Sequence, residues 1–315
     1  MSTPAASPRV SIVVPVRNGG RLLERCLRSV LAQDYPRDRL EILVVDNGST
    51  DGSVDTITGL GLSPLRESRP GAAHARNRGV AAATGDIVAF TDADCEVEPS
   101  WVGRLVEALG EADAVTGHIE PFPTRGRFAR ARGALHEMFL RECMRLDREN
   151  RLDRLDSANA AVWRRVFDEV GGFNPQIFFV EDRELAVRLV ERGRRLKFAA
   201  APRALHHYEE RILPSMRKSE GTGRMWAKLP ELTSAEVLKR HFADVLKLLD
   251  AARSFASPAG HRHLVMRFWL HVVAAVVRPG FESCLHHFRA AERIATLRGI
   301  LDGLHDLQLR SQTNK

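Results

Sequence analysis

Residues 10–53 read VSIVVPVRNGGRLLERCLRSVLAQDYPRDRLEILVVDNGSTDGS, and the pattern in this stretch sets the architecture. It begins with a near-continuous β-branched run at 10–16, which is typical of a strand buried on both faces. The apolar residues of 22–31 then repeat at the spacing of one helix face. A second β-rich run at 42–45 leads directly into turn-forming residues. The order strand, helix, strand predicts a βαβ unit and hence a mostly parallel sheet.

The same alternation continues to residue 119. The further predicted elements are a strand at 62–65, a helix at 72–82, a strand at 87–91, a helix after Pro99 and a strand at 114–119. In open parallel sheets the ligand crevice lies beyond the carboxyl ends of the strands. The segments 15–20, 46–52 and 92–94 should therefore meet at one edge of an α/β sheet flanked by helices.

Composition and charge divide the chain into two parts. Its 315 residues are 44% hydrophobic and 28% charged, which excludes collagen-like, disordered and mini-protein classes. Residues 1–212 hold 31 basic and 31 acidic side chains, whereas residues 213–315 hold 16 and 9, so the whole net charge of +7 lies in the last third. Beyond residue 214 the pattern is almost wholly helical. We expect a domain at 1–212 and a basic helical region at 213–315.

Several charged residues fall at the predicted strand ends. Asp92 and Asp94 are one residue apart after a strand, and hard divalent cations take such oxygen ligands together with a substrate diphosphate. A solvated turn is the alternative. Asp46 is placed to accept hydrogen bonds from a base or sugar, or to organise its own loop as an Asx-turn. Arg76, on the predicted helix, suits phosphate or a carbonyl edge, although a single helical arginine is more often a surface group.

Five segments, taken together, resemble the inverting family-2 glycosyltransferases of the GT-A fold, and the likeness covers about residues 8–210. They are VSIVVPVRNGGRLLERCLRSVLAQDYP (10–36), EILVVDNGSTDGS (41–53), PGAAHARNRGVAAATGDIVAFTDADC (70–95), NAAVWRRVFDEVGGFN (159–174) and FFVEDRELAVRLVERG (178–193). Their order and gaps match the family. The resemblance implies transfer of a sugar from a nucleotide-diphosphate donor, expected to be UDP-linked, to an acceptor hydroxyl.

The resemblance also implies a donor site with a divalent metal, Mn²⁺ or Mg²⁺. The residues implied for the nucleotide are Pro15, Arg17, Asn18, Asp46, Arg76 and Asp92. Asp94, with Asp92, would hold the metal that bridges the diphosphate. A later histidine completes such sites in the family; His206 and His207 are the candidates, and His207 is favoured. Only one of two adjacent strand residues points inward.

The reaction further needs a base for the acceptor hydroxyl. In the family's pattern this is Asp182, with Glu181 orienting it or contacting the acceptor. The alternative is that Asp182 caps the helix that begins there. Weaker assignments place Asn159 and Trp163 at the acceptor and Arg217 and Lys218 at the acceptor or diphosphate. Trp163 is otherwise a core aromatic, and the two basic residues a solvated helix face.

The basic region at 213–315 matches no assigned motif. Its amphipathic helices suit an anionic membrane surface, and acceptor contacts, a homodimer interface or packing on the sheet are the alternatives. The chain starts without a signal-peptide pattern and has no 20-residue apolar span, so we expect a cytoplasmic protein that meets the inner face of the membrane. The pathway expected is polysaccharide or glycolipid synthesis, with a carbohydrate or lipid-linked acceptor.

Nucleic acid is not an expected partner. The basic run Arg125, Arg127, Arg130 and Arg132 has no interleaved aromatic residue other than Phe128 and is interpreted as a solvated loop. Two other classes compete with the transferase. A sugar nucleotidyltransferase would carry a Gly-rich basic loop after the first strand, which RNGGRLL matches poorly. A non-catalytic sugar-nucleotide-binding protein would not need the intact carboxylates. The four cysteines match no metal spacing and are expected to be buried thiols.

Overall fold

The computed structural model describes residues 7–209, 211–277 and 281–313, which fall into two compact units. The first unit holds the described residues up to Phe122, together with His136–Gln176 and Glu181–His207. The second unit holds Pro123–Leu135, Ile177–Val180 and the described residues from Tyr208 onward.

The first unit is built on an eight-stranded sheet. Its strands are β1 (Val10–Val16), β2 (Leu40–Asp46), β3 (Leu65–Arg66), β4 (Ile87–Thr91), β5 (Cys95–Val97), β6 (Ala114–Pro121), β7 (Asn159–Trp163) and β8 (Leu196–His206). The helices that accompany them are α1 (Gly20–Leu31), α2 (Ser53–Gly59), α3 (Ala72–Ala82), α4 (Trp101–Leu109), α5 (Arg127–Arg148), α6 (Arg164–Glu169) and α7 (Glu181–Glu191). The residues of α5 up to Leu135 belong to the second unit.

The strand order is β3-β2-β1-β4-β7-β6-β8-β5. β1 runs parallel to β2 and β4, β2 parallel to β3, and β6 parallel to β8. β7 is antiparallel to both β4 and β6, and β5 is antiparallel to β8. The predicted α/β class with flanking helices is thus confirmed, and the sheet is mixed rather than purely parallel.

β1 lies in the middle of this core. Alternate residues face opposite sides, so that Val13 packs with Phe90 in one apolar cluster while Ile12 and Val14 pack in the other. Helix α3 approaches β1 very closely because residue 79 is glycine, where an added Cβ would overlap Val13. This approach lets α3 present its first two turns at the carboxyl end of β1.

The second unit is helical, as predicted for 213–315. Its elements are α8 (Ile212–Leu232), α9 (Ala235–His241), α10 (Ala243–Arg253), α11 (Pro258–Val277) and α12 (Phe281–Thr313). The N-terminal part of α5 also belongs to it, so the solvated loop expected at the arginine run is wrong from Arg127 onward. Ala129 and Ala131 are buried, which a helix achieves and a solvated loop does not.

Two further expectations concern the membrane and the thiols. Among the described helices, none combines the length and the apolarity that crossing a bilayer requires. All four cysteines are buried free thiols, as predicted.

Candidate active site

A cleft with a cavity volume of about 420 Å³ opens in the first unit, beyond the carboxyl ends of β1 and β4. Six residues predicted from the sequence line it: Pro15, Arg17, Asn18, Arg76, Asp92 and Asp94. The other lining residues are Val16, Gly19, Leu22, Asn47, Gly71, Ala72, Ala75 and Ala93. Strand ends that are far apart in sequence therefore meet at one edge, as the parallel arrangement of β1 and β4 requires.

The loops after β1 and β2 are tied together at the rim. Asn18 adopts a left-handed conformation with φ of 55°. Its side-chain oxygen accepts a hydrogen bond from the Thr50 amide at 2.8 Å, and its own amide donates to Ser49 Oγ at 2.9 Å. These bonds fix the segment that contains Arg17.

Asp46 and Asn47 end β2, and both are buried. Asp46 Oδ1 accepts a hydrogen bond from the Ser49 amide at 3.1 Å, which is the loop-organising contact considered as the alternative. Asn47 was not singled out from the sequence. Its Nδ2 donates to the carbonyls of Glu67 and Arg69, and its Oδ1 accepts from the Gly71 amide at 2.8 Å. Asn47 thus ties the end of β2 to the start of α3.

Arg76 joins the donor side of the cleft to helix α7. Its side chain is only 4% exposed; Nη2 donates to Asp92 Oδ1 at 2.6 Å, and Nη1 donates to Glu181 Oε1 at 2.9 Å. Burial opposes the charged form, but the carboxylates of Asp92, Glu181 and Asp182 outweigh it and raise the pKa of Arg76 above its usual range. The guanidinium therefore stays charged and holds both carboxylates in place.

Asp182 follows Glu181 in the first turn of α7. Its Oδ2 accepts hydrogen bonds from the amide and the hydroxyl of Ser157, at 3.2 and 3.3 Å. Burial, followed by repulsion from Glu181 and Asp156, raises the pKa of Asp182 to about 7, although Arg76 and the Ser157 amide act in the opposite direction. A carboxyl group with this pKa changes its charge near neutral pH, where a general base is most effective.

A candidate metal centre lies where β5 pairs with β8. One ligand atom each from Asp94, Cys95 and His206 lies within 4.8 Å of the others, with His206 Nε2 3.7 Å from Asp94 Oδ1. Burial, then the nearby carboxylates, raises the pKa of the Cys95 thiol well above its usual value, so the thiol is neutral. The carboxylate oxygen of Asp94 suits Mn²⁺ or Mg²⁺, and the imidazole of His206 is a further metal donor. The residues present fit such an ion.

The structure brings His206, and not the favoured His207, to Asp94. His207 Nε2 lies 2.6 Å from Glu96 Oε1, and its ring stacks on Phe122 with centroids 3.9 Å apart. Arg25 binds the same carboxylate at 2.8 Å. Although burial raises the pKa of Glu96, the bonds from His207 and Arg25 lower it overall. β8 ends at His206, and the side chain of His207, just beyond that end, packs on Glu96 and Phe122.

Asn159 lies away from the cleft cavity. It is fully buried, and its Oδ1 accepts from Trp101 Nε1 at 2.8 Å while its Nδ2 donates to the carbonyls of His118 and Pro202. The side chain ties β6, β7 and β8 to α4. An isolated polar residue at the start of an apolar strand gave no sign of this structural role.

Trp163, Arg217 and Lys218 are not among the residues that line the cleft cavity. Trp163 pairs with Ile87 at the amino end of β4, four residues or about 13 Å along β7 from Asn159, and it packs on both apolar clusters. Arg217 and Lys218 are exposed on α8 in the second unit.

The model of glycosyl transferase family 2 matches residues 11–171, just over half of the chain. The chain belongs to this family. Glycosyltransferase AglE of Haloferax volcanii is 27% identical over 231 residues, which cover 70% of this chain and 74% of AglE. Family membership confirms both the resemblance and the expected transferase class.

Two solved structures show the same fold. The mannosyltransferase PcManGT of Pyrobaculum calidifontis, in complex with GDP-mannose and Mn²⁺, has a TM-score of 0.64 and 23% identity, covering 95% of this chain and 88% of PcManGT. Glucosyl-3-phosphoglycerate synthase of Mycobacterium tuberculosis, with Mn²⁺, UDP-glucose and phosphoglyceric acid, has a TM-score of 0.54 and 23% identity, covering 72% and 80%. These likenesses establish the GT-A architecture.

Proposed function

We propose that this protein is a metal-dependent, inverting glycosyltransferase that moves a sugar from a UDP-linked donor to an acceptor hydroxyl. The observation that carries the proposal is the linked set of Asp92, Arg76 and Glu181, with Asp94 on one side and Asp182 on the other. One buried guanidinium thereby connects donor-side and acceptor-side carboxylates. Such a set is suited to displacement at an anomeric carbon.

The donor lies in the cleft. Pro15, Arg17 and Asn18 form the wall for the base. Asp46, buried at the end of β2 next to the lining residue Asn47, binds the edge of the base. Asp92, held by Arg76, meets the ribose, while Asp94 and His206 hold the metal. When bound, Mn²⁺ or Mg²⁺ neutralises the charge that develops on the leaving diphosphate. Solved neighbours with GDP-mannose or UDP-glucose and Mn²⁺ support this choice of ligands.

Asp182 acts as the base. It takes the proton of the acceptor hydroxyl as that oxygen bonds to the anomeric carbon and the bond from this carbon to the diphosphate oxygen breaks. A single displacement inverts the anomeric configuration. Arg76 fixes Glu181 in place beside Asp182. Repulsion from Glu181 is one of the causes that raise the pKa of Asp182 to about 7. Ser157 holds the carboxylate through two hydrogen bonds.

We assign the transfer reaction to a catalytic domain at 1–212 and acceptor binding to the helical region at 213–315. The acceptor is a carbohydrate or a lipid-linked sugar, and the pathway is polysaccharide or glycolipid synthesis at the inner face of the membrane. The positive excess of 213–315 supports an anionic surface, and so do the exposed apolar side chains of Met266, Trp269 and Leu270 on α11. Contacts of Arg217 and Lys218 with the acceptor or diphosphate, and a homodimer, stay predictions.

A donor panel tests the proposal without knowledge of the acceptor. Purified protein is incubated with UDP-, GDP- or dTDP-sugars in Mn²⁺ or in EDTA, and the released nucleoside diphosphate is measured. We expect release from a UDP-sugar in Mn²⁺ and none in EDTA. Equal release in EDTA would show that the reaction does not depend on a metal. Release from GDP-sugars alone would show that the donor is not UDP-linked.

The same assay separates the competing classes. A binding protein would show a thermal shift with the donor but no released diphosphate. A nucleotidyltransferase would release pyrophosphate from UTP and a sugar 1-phosphate instead. Either result would replace the transferase assignment.

A further inference from the structure

A second cavity, of about 330 Å³, lies within the second unit. It is formed by the N-terminal part of α5 together with α8 and α12. Its lining residues are Arg132, Leu135, Lys218, Ser219, Thr222, Arg289, Glu292, Arg293 and Thr296. Four of these side chains are basic and one is acidic, so the cavity carries an uncompensated positive charge.

The one acidic side chain in the lining of this cavity, Glu292, already accepts hydrogen bonds. Glu292 is 12% exposed, and its Oε1 accepts hydrogen bonds from Arg132 Nη1 at 2.5 Å and from Ser215 Oγ at 3.4 Å. Burial raises the pKa of Glu292 even though Arg132 and Ser215 lower it. This carboxyl is thus largely buried, and it is paired with the partly exposed Arg132.

The other three basic side chains are exposed, and Lys218 among them acts electrostatically on Glu292. Within the described part of the second unit, no hydrogen bond or ion pair engages the side chains of Lys218, Arg289 or Arg293. Three like charges at one concavity repel one another unless a counter-ion sits among them. Arg289 and Arg293 are four residues apart on α12, so they lie on one helix face.

Two walls of the cavity, α8 and α12, are closely packed against each other. Helices α8 and α12 touch through glycines, because a Cβ at Gly223 would overlap the Thr296 carbonyl and a Cβ at Gly299 would overlap the Glu220 carbonyl. Arg298 adds an ion pair to Glu220 at 3.1 Å. A site of this size, held by packed helices, is prearranged for a small ligand.

We propose that this cavity binds a phosphoryl group, either of a lipid headgroup or of a free phosphate ester, through Arg289, Arg293 and Lys218. Guanidinium groups match the geometry of phosphate oxygens and lysine adds a point charge, so a dianionic phosphoryl group suits this set better than a neutral sugar. The assignment does not depend on the transfer reaction proposed above.

Binding of inorganic pyrophosphate to the full chain, measured by calorimetry in EDTA, tests the proposal. The test variant is Arg289→Gln with Arg293→Gln, and the charge-matched control is Lys239→Gln with Lys247→Gln, which alters exposed lysines on α9 and α10. We expect the original chain and the control to bind equally and the test variant at least about tenfold more weakly. Equal affinity of all three proteins, or no saturable binding by the original chain, overturns the proposal.

Vesicle co-sedimentation identifies the source of the phosphoryl group. Phosphatidylcholine vesicles carry either phosphatidic acid, with an exposed phosphate monoester, or phosphatidylglycerol. If the source is a headgroup, the original chain prefers phosphatidic acid and only the test variant loses that preference. If the source is a free ester, pyrophosphate binding alone depends on the two arginines. Equal thermal unfolding of the variants and the original chain checks that folding is intact.

Discussion

The cleft of the first unit and the cavity of the second gather charge with opposite signs. In the cleft, Asp92 and Glu181 surround the buried Arg76, and Asp94 and Asp182 stand nearby. In the cavity, the basic side chains surround the buried Glu292. Each region thus places one buried charged side chain among several side chains of the opposite charge. The buried side chain holds its partners in place. The remaining negative charge of the cleft is available to a cation, and the remaining positive charge of the cavity is available to an anion.

The largest expected effect comes from removing the base. Asp182→Asn keeps the shape of the side chain but cannot accept the acceptor proton, so we expect turnover to fall by about 10² to 10⁴-fold. Donor affinity should change little, because Asp182 does not line the cleft cavity. The measurement is steady-state transfer together with UDP binding.

Asp168→Asn provides the matched control, because Asp168 is exposed on α6. Its turnover should equal that of the original chain. If Asp182→Asn also keeps normal turnover, Asp182 is not the base.

The second effect concerns the buried cation of the cleft. Arg76→Met leaves Asp92 and Glu181 without their common partner, so we expect a loss of about 3 to 5 kcal/mol in the free energy of unfolding. Urea denaturation measures the loss. Arg28→Met, which breaks only the exposed pair with Glu24, should change stability little. Equal losses in both variants would show that Arg76 does not organise the cleft.

The third effect is on pH dependence. Because the pKa of Asp182 is raised to about 7, kcat/KM should rise about tenfold for each pH unit below 7 and level off above it. The elevated pKa also means that the protonated carboxyl favours the folded state. Its contribution to stability is complete below about pH 4, the unfolded value, and is lost as pH rises through about 7.

Asp182→Asn separates this contribution from those of other groups. Unfolding measured between pH 4 and pH 8 should show the original chain losing stability relative to Asp182→Asn as pH rises. Parallel pH curves for the two proteins would contradict the raised pKa.

The fourth effect distinguishes the two histidines. His206→Ala removes the donor beside Asp94 and should weaken Mn²⁺ binding by about 10- to 100-fold. His207→Ala leaves that donor and removes one of the two partners of Glu96 and the stacking on Phe122, so its effect on Mn²⁺ binding should be smaller. Titration of Mn²⁺ followed by electron paramagnetic resonance measures both. If His207→Ala weakens Mn²⁺ binding more than His206→Ala does, His207 is the histidine of the metal site.

The smallest effect is expected in the cavity. Glu292→Gln keeps a side-chain oxygen for Arg132 and Ser215 but removes the buried negative charge. We expect stability to change by only about 1 kcal/mol and pyrophosphate to bind several-fold more tightly. Unfolding and calorimetry measure these changes. If pyrophosphate binds more weakly to Glu292→Gln, the carboxylate of Glu292 is needed for the shape of the site, and its repulsion of the ligand is not the main effect.

Most of the fold could be predicted from local patterns in the sequence. The bounds of β1, α3 and β4 agree with their predicted ranges, because apolar runs and an Ala-rich helix depend on neighbours in sequence. The direction of β7 did not follow from its sequence, since an apolar strand looks alike in either orientation. Only the end of β8, at His206, was expected to be strand; its earlier residues were not predicted, because Lys197, Pro202 and Arg203 interrupt the pattern.

Six residues that line the cleft were predicted from the sequence, but the links between residues were not. Arg76 and Glu181 are 105 residues apart, and no local spacing shows that they share a hydrogen bond. The choice between His206 and His207 depended on the pairing of Cys95 with His206 across β5 and β8. Asn47 looked like one more turn residue, since its partners lie 20 to 24 residues further along the chain.

The position of Asn47 also affects the chemical ageing of the protein. An asparagine followed by glycine deamidates readily when the glycine nitrogen attacks the side-chain carbonyl carbon, because glycine offers no steric hindrance. Here Asn47 precedes Gly48, yet Asn47 is buried and its side-chain amide is hydrogen-bonded to Glu67, Arg69 and Gly71. Attack would require breaking these bonds. Folding therefore protects a labile dipeptide, and a chain that unfolds often will acquire an extra carboxylate at the edge of its own cleft.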